Sequence, residues 1–126
     1  MTTRRSAPVY LNLLRIQFPV GALTSFGHRI SGVLLFIAFP LLVYLLDLSL
    51  QDAAGFQRVG ELLQSPLLKL ASVPIAWSLF HHLFSGIRFL LIDLDAGVQL
   101  KRARASAWLV NAAGLLATLL YLGWVL

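Results

Sequence analysis

The sequence contains no cysteine, and its only methionine is Met1. The lack of cysteine excludes a disulfide framework, thiolate zinc sites, iron–sulfur ligation by this chain and covalent c-type haem attachment through C-x-x-C-H. Any haem would have to be held by histidine, since Met1 sits at a chain end. Charge is also scarce. Only 12% of residues are charged and five are acidic, against about 25% charged in a soluble domain. Five scattered carboxylates cannot form a hard-metal cage. No G-x-S-x-G, H-E-x-x-H, Walker or dinucleotide-binding pattern occurs, so neither hydrolysis nor nucleotide chemistry is indicated. The first 18 residues are interrupted by Arg4, Arg5, Asn12, Arg15 and Gln17. They form no continuous apolar h-region, and no secretory signal peptide is expected.

Apolar residues are abundant: 59% of 126 residues, one domain's worth of chain. A chain so short of polar surface cannot cover itself in water, and lipid supplies the missing environment. A membrane-spanning helix needs about 20 mostly apolar residues at 1.5 Å rise each. Three stretches meet this requirement, and the pattern predicts an all-α, integral membrane three-helix bundle with spans near 21–50, 66–94 and 105–126. An N-terminal segment, 1–20, precedes them. Pro40 falls inside the first span and is expected to kink it. Gln51 to Ser65 is polar and reads as a loop with one amphipathic turn. Asp95 to Arg104 reads as a short charged connection.

The net charge of +5 would suggest nucleic acid in a soluble protein. Here the cations cluster at the ends of apolar runs, a pattern of membrane orientation rather than nucleic-acid binding. Arg4, Arg5 and Arg15 lie before the first span, and Lys101, Arg102 and Arg104 lie between the second and third. The positive-inside rule therefore predicts a cytoplasmic N-terminus. Trp108, Tyr121 and Trp124 near the ends of the third run suit an aromatic belt.

Ionisable groups within a span are costly and usually face protein, where they do a job. Two groups occur. Ser25, His28, Arg29 and Gly32 follow i, i+3, i+4, i+7 and share one helix face. A hydroxyl, an imidazole and a guanidinium there could bind a carboxylate or a quinone oxygen. They could equally snorkel to lipid headgroups. On the second span, His82, Ser85, Gly86, Phe89 and Asp93 form one stripe, and His81 and Arg88 another about 100° away. His82 lies about 20 Å along the helix from Asp95. A neutral imidazole at that depth requires a partner. Haem iron is one, with Gly86 admitting a flat porphyrin; a hydrogen bond to another helix is the other. Residue pattern alone leaves both open. His81 cannot point the same way as His82 and reads as structural or as a supporting group.

The residues Ser25-Phe26-Gly27-His28-Arg29-Ile30-Ser31-Gly32 resemble the S-x-x-H-R-x-[ST]-G motif of the cytochrome b membrane-anchor subunit of succinate dehydrogenase. His82-Leu83-Phe84-Ser85-Gly86-Ile87-Arg88, with Asp93 following, resembles that family's H-x-x-x-G-[IL]-R-H-x-x-x-D motif. Pro8-Val9-Tyr10-Leu11-Asn12-Leu13 and Phe18-Pro19 are similar to the stretch before the first motif. The resemblance implies His82 as an axial ligand of haem b, His28 and Arg29 beside the haem propionates, and Ser25 and Arg29 at a ubiquinone site. It implies a second axial histidine from a smaller hydrophobic anchor subunit. It further implies an iron–sulfur subunit, a flavoprotein subunit and a bacterial inner-membrane location. Phe89 departs from the pattern, where histidine often follows Gly-Ile-Arg. A haem-binding anchor of a quinol:fumarate reductase and a haem-free structural anchor are the alternatives. On every reading the chain alone is not an enzyme but a subunit of an oxidoreductase complex.

Overall fold

The structure, a computed structural model, describes residues 17–125. The arginines at 4, 5 and 15, the Pro8–Leu13 stretch and Leu126 lie outside the described residues. The described chain forms four helices: α1 Val20–Gln51, α2 Ala53–Gln64, α3 Pro66–Asp93 and α4 Leu100–Val125. Of these, α1, α3 and α4 are long and apolar enough to cross a membrane. α3 packs against both α1 and α4, α1 touches α4, and α2 lies against α1 and α3.

The packing is inverted relative to a soluble bundle. Phe36 is 80% exposed and Trp124 81%, whereas the largest fully buried side chains are Thr24, Ser31, Ser78 and Ser85. Each spanning helix buries a stripe of small or polar residues at helical spacing: Thr24, Ser31 and Ala38 on α1, Ser78, His81, Ser85 and Arg88 on α3, and Ala107, Val110, Gly114 and Thr118 on α4. Lipid tails are as apolar as leucine, so no hydrophobic force drives such helices together. Close approach through small residues and interhelical hydrogen bonds hold them instead.

Helix termini explain the connections. The stretch expected to be a loop with one turn is the 12-residue helix α2. The Asp52 carboxylate accepts a hydrogen bond from the Gly55 backbone N–H at 2.7 Å and caps its start. α2 folds back so tightly on α1 that a Cβ at Gly55 would collide with the Leu48 carbonyl oxygen. Two glycines, Gly55 and Gly60, lower its helix propensity. Packing of Gly55 and Val59 against the spanning helices supplies what propensity lacks. Ser65 then caps α3, its Oγ accepting from the Leu68 N–H at 3.4 Å, with Pro66 at the first helical position.

α1 continues through Pro40. α3 ends in a Schellman turn: the Ala96 N–H donates to the Leu91 carbonyl and the Asp95 N–H to the Ile92 carbonyl, both at 2.9 Å. Asp95 takes the left-handed position at φ 59°, which aspartate tolerates better than most residues. α4 begins at Leu100 rather than 105. Its first turns carry Lys101, Arg102 and Arg104, which are good helix formers; the apolar run marks the bilayer core, not the helix start.

Candidate functional site

α1 and α3 bring the two motifs into direct contact. The His28 and His82 rings stack with centroids 4.0 Å apart and planes 11° from parallel. Phe89, at the position where the motif departs, makes a T-shaped pair with His28, ring centroids 5.3 Å apart. Gly32 makes room for the pair, because a Cβ there would come within 3.1 Å of His82 Cε1.

Hydrogen bonding orients the His82 ring. Its Nδ1 lies 3.2 Å from the His28 carbonyl oxygen and 3.2 Å from Ser31 Oγ. The Ser31 hydroxyl donates to that same carbonyl at 2.8 Å. A carbonyl only accepts, so the self-consistent network assigns the proton to Nδ1. In the neutral ring the lone pair then lies on Nε2. Metal-ligating histidines show this pattern, in which the non-ligating nitrogen donates to a carbonyl that orients the ring. Ser31 and the His28 carbonyl hold the His82 ring in place through Nδ1. Stacking on His28 occupies a ring face and leaves the nitrogen edge available.

The second feature is an unsatisfied atom. His28 Nε2 is buried and has no hydrogen-bond partner among the described residues. Such an atom costs about 1–3 kcal/mol, so its partner is to be sought outside those residues. The space beside it is Gly86, whose Cβ, were there one, would lie 3.6 Å away. Among the described residues no group of three or more histidines, cysteines and carboxylates is gathered to hold a metal ion. One free imidazole nitrogen suits a metal whose remaining ligands come from a macrocycle and a second chain. The residues present therefore fit a haem shared with a partner.

Ser25 and Arg29 occupy the adjoining face of α1, Ser25 half-buried and Arg29 exposed. The structure does not join them to the imidazole pair by hydrogen bonds. It leaves a hydroxyl and a guanidinium one turn apart at the bundle surface.

His81 does something else. It is 4% exposed, stacks on Trp77 at 5.1 Å and places Nε2 3.3 Å from Ser85 Oγ. Ser85, grouped with His82 by spacing, serves His81 instead. A Cβ on Gly27 would stand 2.6 Å from His81 Nε2, and one on Gly114 3.4 Å from its Cα. His81 thus plugs the junction of α1, α3 and α4. Beside it Asn111 Nδ2 donates to Thr24 Oγ1 at 3.0 Å, linking α4 to α1. Arg88 links α3 to α4, its Nε donating to Ser106 Oγ and its Nη2 to the Ala103 carbonyl, both at 3.0 Å.

Residue spacing did not single out Ser31, Trp77 or the Thr24–Asn111 pair. Signals existed for two of them. Ser31 occupies the [ST] position of the first motif, and Asn111 is the one strong polar group of the third apolar run. Nothing in the sequence marks Trp77 as the partner of His81 beyond its spacing of one helical turn.

The succinate dehydrogenase/fumarate reductase transmembrane subunit family model matches residues 3–121. The chain is 37% identical over 119 residues to the succinate dehydrogenase cytochrome b556 subunit of Coxiella burnetii, covering 94% of this chain and 95% of that protein. It is 30% identical over 117 residues to that of Rickettsia felis, covering 93% and 90%. With that of Paracoccus denitrificans it shares 25% identity over 119 residues, covering 94% and 92%.

Proposed function

Because the chain belongs to the family of succinate dehydrogenase/fumarate reductase transmembrane subunits, we propose that this multi-pass membrane protein binds haem b through His82 and forms part of the site where ubiquinone is reduced. The observation that carries the haem reading is the His82 network. Nδ1 is committed to the His28 carbonyl and Ser31, and Nε2 faces no competing donor among the described residues. Beside it, the unpartnered Nε2 of His28 and the guanidinium of Arg29 suit the propionate carboxylates. A histidine of a smaller hydrophobic anchor subunit would hold the haem together with His82. When bound, the haem supplies a one-electron carrier within the low-dielectric span.

For the quinone, Ser25 donates its hydroxyl hydrogen to one carbonyl oxygen and fixes the head group's orientation. Arg29 holds positive charge where negative charge develops on the ring oxygen; preorganised charge in a water-poor site stabilises that development strongly. An exposed Arg29 accords with a site completed by other chains, since no acidic side chain of this one neutralises it. Protons reach the site through water from the cytoplasmic side. The electrons derive from succinate and arrive through a flavoprotein subunit and an iron–sulfur subunit. The cation distribution supports a cytoplasmic N-terminus, and the bacterial sources of the relatives support an inner-membrane location.

A dithionite-reduced minus oxidised visible spectrum of the purified complex, wild type and His82→Ala, tests the haem reading. A low-spin b-type signal that the variant loses or alters is expected. An intact wild-type complex without that signal would leave a haem-free anchor. For the quinone reading, Arg29→Leu is expected to lower quinone reductase turnover while the haem spectrum persists, and unchanged turnover would count against it.

A further inference from the structure

His28 sits in a slot on α3. Its ring stacks on His82, centroids 4.0 Å apart, and forms a T-shaped pair with Phe89, centroids 5.3 Å apart and planes 70° apart. Between those two walls the floor is Gly86, where a Cβ would lie 3.6 Å from His28 Nε2. His82, Gly86 and Phe89 follow i, i+4, i+7, so a single face of α3 makes both walls and floor. This seat bears on His82 in two ways. His28 covers the His82 ring with its own ring, and its backbone carbonyl oxygen lies 3.2 Å from His82 Nδ1. Whatever fixes His28 therefore fixes His82.

The Phe89 wall is itself held. Arg88 places its guanidinium carbon 5.3 Å from the Phe89 ring centroid, inside the reach of about 6 Å for a cation–π attraction. That guanidinium is not free to swing away. Arg88 is 7% exposed, and its Nε and Nη2 donate to Ser106 Oγ and the Ala103 carbonyl of α4, both at 3.0 Å. Contacts thus run from α4 through Arg88 and Phe89 to His28 on α1, and on to His82. A phenyl ring carries no N–H, O–H or lone pair, so Phe89 seats His28 without engaging its unpartnered Nε2.

We propose that Phe89 is a positioning residue for the imidazole pair: it clamps His28 against His82 and so sets the ring of the residue read above as the haem ligand. The functional consequence rests on that haem reading. The clamp itself rests on the ring geometry alone.

The test compares wild type, Phe89→Leu and Phe89→Tyr in the purified intact complex, each alone and with His28→Leu. Leucine keeps an apolar side chain and removes the aromatic ring; tyrosine keeps the ring. Two quantities are read: haem loss to apomyoglobin, and thermal dissociation in nanodiscs, which needs no haem. Phe89→Leu is expected to speed haem loss about two- to tenfold, the factor for one aromatic pair beyond its area burial, and to lower the dissociation midpoint. Phe89→Tyr is expected to match wild type in both. In the His28→Leu background the two Phe89 variants are expected to share one midpoint, because the ring in which they differ has lost its partner. Haem loss unchanged in Phe89→Leu, a Phe89→Tyr complex no better than Phe89→Leu, or a leucine effect that persists without His28 would each overturn the clamp. An intact wild-type complex with no haem would overturn the haem reading instead, and the midpoint comparison would still decide the clamp.

Discussion

Gly27 offers the sharpest test of how the three spanning helices fit together. A methyl group there would stand 2.6 Å from His81 Nε2. The imidazole has little room to retreat. Trp77 lies stacked at 5.1 Å, Ser85 Oγ is 3.3 Å from the same nitrogen, and α4 backs the histidine at Gly114. Overpacking a closed site costs about 1–3 kcal/mol. Opposing that, alanine is favoured over glycine in a helix interior by about 1 kcal/mol. Gly114→Ala supplies the control, because it gains the same propensity while its methyl would rest at an ordinary 3.4 Å from His81 Cα. The propensity term cancels between the two variants, so Gly27→Ala should be the less stable by about 1–3 kcal/mol, a factor of about 5 to 150 in an equilibrium constant. The assay is thermal dissociation of the purified complex in nanodiscs, with midpoints ordered Gly114→Ala, wild type, Gly27→Ala from high to low. Removing the ring should relieve the clash, so Gly27→Ala with His81→Ala should be less destabilised than the sum of the single variants. Coincident midpoints for the two glycine variants, or strict additivity in the cycle, would refute the wedge.

Ser31→Ala removes a hydroxyl that holds His82 Nδ1 at 3.2 Å; on the haem reading it should keep the b-type spectrum but weaken retention of the group by about tenfold, the low end of such supporting contacts, measured by haem loss to apomyoglobin. Asn111→Leu should cost only about 0.6 kcal/mol in the same dissociation assay, because the Thr24 hydroxyl keeps its bond to the Val20 carbonyl at 3.0 Å; a loss several times larger would mean that the α1–α4 pair carries more than this geometry shows. For orientation, a reporter fused at the C-terminus should be active as alkaline phosphatase and dark as green fluorescent protein, and the reverse result would invert the topology.

The helix locations were legible because the bilayer imposes a length and a polarity that residues report one by one. Faces were legible too, since 3.6-residue periodicity places His28 with Ser25 and Arg29, and separates His81 from His82. Partnerships across helices were not. Thr24 on α1 and Asn111 on α4 are 87 residues apart, and nothing in their spacing pairs them. The 52–64 stretch hid a helix because its glycines depress local propensity, while the burial that rescues it comes from α1 and α3. Arg88 looked like a companion of His81. Its actual role, reaching Ser106 and the Ala103 carbonyl, depends on α4 starting a turn earlier than its apolar run suggests.

Composition alone determined that this chain resides in lipid, because transfer free energies add along a sequence without reference to contacts. The two motifs, likewise, marked His28, Arg29 and His82 as residues out of place in hydrocarbon. Only the tertiary structure decided which nitrogen of His82 is tied to its neighbours. That choice is made by a carbonyl 54 residues away and a hydroxyl 51 residues away, and a hydrogen bond acts over about 3 Å of space whatever the distance along the chain.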